Sequence, residues 1–359
     1  MDFTTLSHAV QYRDLSWFSL DNNLTSCLSV SHKRTGDTVL HLACRYGRQD
    51  LLSLLSTNSG ANFEISNFEG KKPLHEAAQY GQFECVRFLL EKGLQVDCLK
   101  RADWTPLMLA CTKPQKDIIV ELLSHGANPA LLNKDGWNSF HIAAREGHVE
   151  ILQELLSCNA ELWNTSSNNG RTPLHTAALH GHLSAVRFLL EHCDYTPDSA
   201  DSCGSTPLMD ALRTGFITVA DLLIKMHKAD ASRKDNLGLQ AIHHAAQAGQ
   251  TKAVDFLLTQ CSIDADVATP VSGVTPLQIA AKENQEAVLN LLLAHGADIN
   301  LADSKGRTAL HIAAGAQHAA SVRLLLTSGA TEKADLSGQF ARDLATREPV
   351  ILAFGETVT

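Results

Sequence analysis

The sequence predicts an all-α chain built as an array of helix–turn–helix repeats, and three observations predict it. An eight-residue phrase returns nine times: DTVLHLAC (37–44), KKPLHEAA (71–78), WTPLMLAC (104–111), WNSFHIAA (137–144), RTPLHTAA (171–178), STPLMDAL (205–212), LQAIHHAA (239–246), VTPLQIAA (274–281) and RTALHIAA (307–314). Its anchors (Leu40, Leu74, Leu107, Phe140, Leu174, Leu208, Ile242, Leu277 and Leu310) lie 33 to 35 residues apart. Seven residues past the anchor a glycine recurs, at Gly47, Gly81, Gly147, Gly181, Gly215 and Gly249. A second apolar run with helical spacing follows it, such as VRFLLEKG (86–93) or VLNLLLAHGA (288–297). A register kept from residue 40 to residue 310 marks a repeat architecture.

The elements follow in order. Residues 1–35 read as an N-terminal capping unit, because Leu6 falls 34 residues before Leu40 and LSHAVQYRD keeps the inner-helix pattern with a more polar exterior. Nine repeats occupy 36–336. In each, Thr before the anchor (Thr105, Thr172, Thr206, Thr275) suits a helix N-cap, with Pro at the first helical position. The anchor and the alanines after it form the inner-helix core, and small residues there let neighbouring helices approach. Glycine ends that helix, the second apolar run forms an outer helix, and a polar turn such as NKDG (133–136) or DSKG (303–306) leads to the next repeat. Pro114 stands where other repeats use glycine, so the turn between the helices of repeat 3 is expected to be distorted. Residues 337–347 read as a C-terminal capping helix and 348–359 as a tail.

This phrase and period resemble the ankyrin repeat. The resemblance covers about residues 3–347 and implies an ankyrin-repeat solenoid of β-turn fingers and antiparallel helix pairs. It also accounts for the 17 histidines, a number that by itself invites a metal or an acid–base reading. Six of them (His41, His75, His141, His175, His243 and His311) follow the anchor directly. In the family that imidazole bonds back to the turn and joins one finger to the next.

Composition closes off other classes. The chain has 359 residues, 44% apolar, and a net charge of −9, which argues against coating nucleic acid by bulk charge. No window approaches a membrane span, so neither nucleic acid nor membrane is an expected partner. Nine cysteines without a CxxC pair read as reduced thiols. MDFTTLSHAVQY carries no basic flank ahead of an apolar core, so no secretory signal is read there. The expected compartment is the cytoplasm, with the nucleus as a second. No HExxH, Walker loop, GxSxG or kinase phrase occurs. The expectation is a monomeric non-enzyme without metal or cofactor.

Function should lie where repeats differ. Three residues before the anchor stand Lys71, Arg171, Ser205, Leu239, Val274 or Arg307, but in repeats 3 and 4 stand Trp104 and Trp137. Lys100, Arg101 and Lys134 flank them in sequence, with Lys71 and Lys72 one repeat earlier. Aromatic residues beside cations are what binding hot spots contain. Trp104, Trp137, Arg101 and Lys71 are therefore the expected partner-binding residues. Acidic residues of the fingers, Asp103 and Asp135 among them, read as turn formers.

Stretches such as VDCLKRADWTPLMLACT and HGANPALLNKDGWNSFHIAAREG resemble one group within the family more closely than generic repeats do. That resemblance implies a protein-binding cofactor of alanyl-tRNA synthetase that helps prevent serine mischarging of the alanine tRNA, with lysines accepting misactivated serine. On this chain the acceptor positions fall on Lys134, on Arg101 with Lys100 beside it, and on Asn164 after Trp163. Arg101 cannot be acylated in this way, because its guanidinium stays protonated. Lys134 and Lys100 are the candidate acceptors. The alternative is an ankyrin scaffold or adaptor for another protein, bound through the concave face.

Overall fold

The computed structural model describes residues 2–12, 15–19, 23–57 and 60–355. They are all-helical, in two compact bodies, Met1–Asn168 and Asn169–Thr359. Repeats 1–4 lie in the first body and repeats 5–9 in the second. Among the described residues no helix is long and apolar enough to cross a membrane.

Each repeat forms the expected helix pair, for example Pro73–Tyr80 with Phe83–Glu91, or Pro207–Thr214 with Ile217–His227. The N-caps work as the threonines predict: Thr105, Thr206 and Thr275 Oγ1 accept from the backbone N–H three residues on. Inner helices pack on inner helices within each body, and the alanine pairs at 77–78, 143–144, 177–178 and 313–314 are fully buried between them. Cys44 and Cys111, which replace such an alanine, are fully buried too. Gly81, Gly147 and Gly215 sit at helix C-caps with φ of 78°, 77° and 85°.

Histidines after the anchor staple consecutive fingers. His41 Nε2 lies 2.8 Å from Lys71 O, His75 3.1 Å from Trp104 O, His175 3.0 Å from Ser205 O and His311 3.2 Å from Gln339 O. In repeat 8 Gln278 takes this place, and its Nε2 donates to Leu301 O and Arg307 O, both at 3.0 Å. Backbone bonds also join consecutive fingers, as from Arg101 N–H to Glu69 O at 2.8 Å and from Lys134 N–H to Ala102 O at 3.0 Å.

Repeat 3 is the irregular one. Its inner helix, Pro106–Ala110, has five residues where its neighbours have eight, and a turn through Pro114 follows. Its finger differs as well. In finger 4, Gly136 adopts φ 78°, and a Cβ there would meet Asn168 N at 2.7 Å. Asn133 Oδ1 locks that turn by accepting from Asp135 N–H and Trp137 N–H, both at 2.9 Å. In finger 3 the glycine position holds Asp103 at φ 60°, after Ala102 at φ 66°. The lock position holds Lys100, which has no oxygen to offer, and Arg101–Asp103 tightens into a 3₁₀ turn. Two non-glycine residues in left-handed backbone make this the strained finger.

At the N-terminal end, helix Phe3–Tyr12 buries Leu6, Ala9 and Val10 against Val39–Arg45 and leaves Tyr12 in solvent. The C-terminal end departs from the expected capping helix at 337–347 and tail at 348–359. Ala341–Leu344 is one turn of 3₁₀ helix, and the α helix is Glu348–Gly355, inside the expected tail. Gln317 sets this boundary. Its Nε2 donates to Leu344 O at 2.8 Å, and its Oε1 accepts from Thr346 and Arg347 N–H at 3.0 and 2.9 Å. Val350 and Ala353 then pack on Ala319–Thr327. Residues 356–359 of the expected tail, and residues 1, 13–14 and 20–22 of the expected N-terminal unit, lie outside the described residues.

Candidate protein-binding surface

Two positions of the repeat set the chemistry of the surface beside the fingers: three residues before the anchor and five after it. In the first body most of them hold long side chains, Arg45, Lys71, Gln79, Trp104, Trp137 and Arg145, beside the shorter Asp37 and Thr112. Arg45, five past Leu40, pairs with Asp37 at 2.8 Å and with the buried Glu76 at 3.0 Å, and covers the Tyr80 ring at 5.7 Å. Lys71 joins the same network. Its Nζ lies 3.3 Å from Glu76 Oε1 and donates to Gln79 Oε1 at 2.9 Å, with the side chain only 15% exposed. The expectation that Lys71 faces a partner is corrected here: a carboxylate buried at position 76 draws the ammonium inward, and its charge is spent inside the protein.

Trp104 and Trp137 are half-buried, at the same position of adjacent repeats. Each indole carries a cation: Lys100 Nζ stands 5.5 Å from the Trp104 centroid, and Arg145 Cζ 5.6 Å from that of Trp137. Trp137 also stacks on His141, 6.2 Å between centroids and 19° between planes. Of the basic residues that flank the tryptophans in sequence, Lys100 makes a cation–π contact, whereas the cation on Trp137 is Arg145 in place of Lys134. Arg145, five past Phe140, escaped the sequence reading, although Arg45 at the same position of repeat 1 is the signal that could have found it. Partial burial, together with the charges of Lys71 and Arg101, lowers the Lys100 pKa below the usual lysine value. Arg101 and Lys134 stand exposed at the tips of fingers 3 and 4. Asn164 lies in the turn after helix Val149–Cys158, away from either fingertip in sequence.

The second body has two surface regions. Repeats 5–7 hold an ion network in which Arg171 bonds Asp210 and, at 3.1 Å, Asp201, while Arg213 reaches Asp210 at 3.3 Å and His244 reaches Asp235 at 2.9 Å. Burial pushes Asp210 up to about 6 against the pull of these arginines. Beyond the His244 pair, repeats 7–9 keep only the pair of Arg307 with Asp303 of its own finger at 2.7 Å and the loose contact of Lys282 with Glu283 at 3.7 Å. A groove of about 970 Å³ opens there, walled by Leu237, Leu239 and Val274 and floored by Ile279 and Ile312. The position five past the last anchor is Gly315.

Comparisons with known proteins agree with this architecture. A family model described as ankyrin repeats (3 copies) matches at residues 6–100, 95–166, 161–235, 218–303 and 242–337. The SMC5-SMC6 complex localization factor protein 1 of Bos taurus is 39% identical over 98 residues, 27% of this chain and 9% of that protein. The B-cell lymphoma 3 protein homolog of Mus musculus is 34% identical over 99 residues, 26% of this chain and 22% of that protein. The chain thus spans between about a tenth and a quarter of the length of these relatives. The crystal structure of the human ASB11 ankyrin repeat domain aligns with 61% of this chain and 97% of its own, at 26% identity and a TM-score of 0.54. Arrays of this kind are interaction scaffolds, with shared residues holding the stack and variable ones meeting a partner. Matched from residue 6 to residue 337, the chain belongs to the ankyrin-repeat family.

Proposed function

We propose that this scaffold is a protein-binding cofactor of alanyl-tRNA synthetase that helps keep serine off the alanine tRNA. The observation that carries the reading is the tryptophan pair with its cations, Lys100 on Trp104 and Arg145 on Trp137, beside the exposed Lys134. The synthetase enters through the similarity of the stretches around these residues to ankyrin repeat domain-containing protein 16. Trp104, Trp137 and Arg101 are the proposed contacts, acting in a monomer of the cytoplasm, with the nucleus as a second compartment.

The accompanying chemistry is stoichiometric. Seryl adenylate is a mixed anhydride. A neutral lysine Nζ attacks its carbonyl carbon, the C–N bond forms, the bond to the phosphate oxygen breaks, AMP leaves with the electron pair, and the amine gives up a proton. The lowered pKa of Lys100 raises its share of neutral amine, and its place on the Trp104 ring holds it near the contact surface. Lys134 offers reach instead, from an exposed fingertip.

Immobilised alanyl-tRNA synthetase should retain the chain, and Trp104→Ala/Trp137→Ala should weaken retention at least tenfold, about the loss of one hot-spot residue. Failure of the wild type to be retained sinks the synthetase reading. Labelled serine, supplied with ATP and the synthetase, should appear on Lys134 and Lys100 by peptide mass spectrometry. Neither being modified removes serine capture and leaves binding standing. The second reading, an adaptor for a different protein, is favoured by the relatives themselves, because a complex localization factor and a lymphoma protein homolog share these repeats at similar identity.

A further inference from the structure

The groove of repeats 7–9 has features the fold does not require. Fingertips favour polar turn residues, as Arg101, Lys134 and Asp135 show in repeats 3 and 4. Here the tips carry Leu237, Val271 and Leu336, which are 76%, 89% and 80% exposed. These three solvated aliphatic side chains, at the tips of fingers 7 and 8 and of the turn after repeat 9, contribute nothing to the core.

The floor is open for an equally specific reason. Two positions past the anchor, Leu42, Leu109 and Ile142 are all buried, whereas Ile279 and Ile312 are partly exposed. The cover that Arg45 and Arg145 lend in the first body is absent at the last repeat, because Gly315 has no side chain. Nothing in the backbone demands this glycine. It lies in helix Ala309–Gly315 without a positive φ, and a Cβ there would meet only Leu344 Cδ1, at an ordinary 3.8 Å. Glycine in a helix is unfavourable relative to alanine. Its presence where a side chain fits keeps the groove empty.

The rim carries charges of both signs. Arg307 is doubly bonded to Asp303, and Asp335 Oδ1 is used by the backbone of its own turn. Lys305 is exposed at a fingertip and makes no ion pair among the described residues, and Lys282, 66% exposed, has only Glu283 at 3.7 Å. The cations left for an incoming carboxylate are therefore Lys305 and the weakly paired Lys282, with the Asp335 carboxylate, still charged, on the next turn. The lining extends from Leu237 to Asp335, three repeat spacings. At about 8–10 Å per spacing that is roughly 24–30 Å, the length of about seven to nine extended residues at ~3.3 Å each.

We propose that this groove is a second docking surface, and that its occupant is a peptide segment of a partner protein carrying aliphatic side chains next to a carboxylate. The aliphatic side chains fill the space over Ile279 and Ile312, and the carboxylate meets Lys305 and Lys282. The scaffold then holds two partners by different chemistry, a cation-decorated tryptophan face in repeats 3–4 and an open aliphatic groove in repeats 7–9.

A displayed library of random 12-residue peptides, selected on the full chain, tests this. Expected are enriched peptides that combine Leu, Ile or Val with Asp or Glu. Their synthetic forms should lose at least tenfold in affinity on Gly315→Arg, which fills the groove where a side chain has room, and should weaken on Lys305→Glu. Trp137→Ala should leave them unchanged, so that failure here is separate from failure of the synthetase reading. Circular dichroism and thermal unfolding confirm that both groove variants are folded. Recovery of no peptide, of peptides indifferent to Gly315→Arg, or of basic peptides overturns the proposal. So does a wild-type dimer in light scattering that Gly315→Arg converts to monomer, since a second copy would then be the occupant.

Discussion

Repeats 1–4 and repeats 7–9 are built on one phrase and present opposite surfaces. In the first region long side chains fold back over the inner helices: Arg45 and Lys71 onto Glu76, Lys100 onto Trp104, Arg145 onto Trp137. In the second, Leu239, Val274 and Gly315 hold three of those positions, beside Gln247, Lys282 and Arg307, and the floor at Ile279 and Ile312 is partly exposed. The difference teaches that stacking and surface are specified separately. The shared residues of the phrase hold each body together, and two variable positions, its first residue and the one just past its end, decide whether the adjoining face is covered or open.

The largest effect should come from what the two regions share. Burial holds His75, His175 and His243 near a pKa of about 4, against 6.5 for a free imidazole. The unfolded chain therefore binds more protons between those values, so stability is full above about pH 6.5 and falls as pH drops toward 4. At about 1.4 kcal/mol for each tenfold difference in proton affinity, the loss amounts to several kcal/mol. Asp210, raised to about 6, gains a proton on folding in part of the same window and offsets some of it. His175→Gln sharpens the point, since Gln278 already does this work in repeat 8. The variant should keep stability at pH 7 within about 1 kcal/mol and flatten the acid limb of a urea titration series. An unchanged acid limb would mean that His175 is not among the groups protonated on unfolding.

Next in size is a contrast between fingers. Gly136→Ala places a Cβ in left-handed backbone against Asn168, and should cost about 2 kcal/mol or more. Asp103→Gly relieves the strained finger and should stabilise by up to about 1 kcal/mol. Equal effects of one sign in chemical denaturation would break the distinction between the two turns. The smallest effect belongs to the groove. Gly315→Ala should stabilise the second body by about 0.5 kcal/mol, with room for the methyl group beside Leu344. Destabilisation there would show that the glycine serves the fold.

Most of the fold was legible because the phrase carries its own physics: a cap, a proline, an anchor, small core residues and a stop. The role of the histidines came from the resemblance to the ankyrin family. The fate of Lys71 was not, because it depends on a carboxylate buried five residues along on the facing surface of a helix. The tryptophans were found as departures from the period, but their cations were only half found, since Arg145 comes from the far end of the next helix. The groove was illegible because it is made by side chains that are missing, and a glycine near a helix end reads as an ordinary stop. The terminal helix Glu348–Gly355 was missed because its start is set by Gln317, 31 residues earlier, and by no local cap.

Finger 3 has a consequence for how the molecule tolerates damage. In finger 4 the turn is held by a side-chain oxygen, so a change at Asn133 that removes this oxygen would unlock its backbone. At the same place in finger 3, Lys100 contributes only its main chain to the turn, through its N–H to Trp104 O and its carbonyl to Asp103 N–H. Its amine can be acylated, and its charge erased, while those bonds stay as they are. Conformational strain at Ala102 and Asp103 thus accompanies an expendable side chain, one whose consumption the architecture survives.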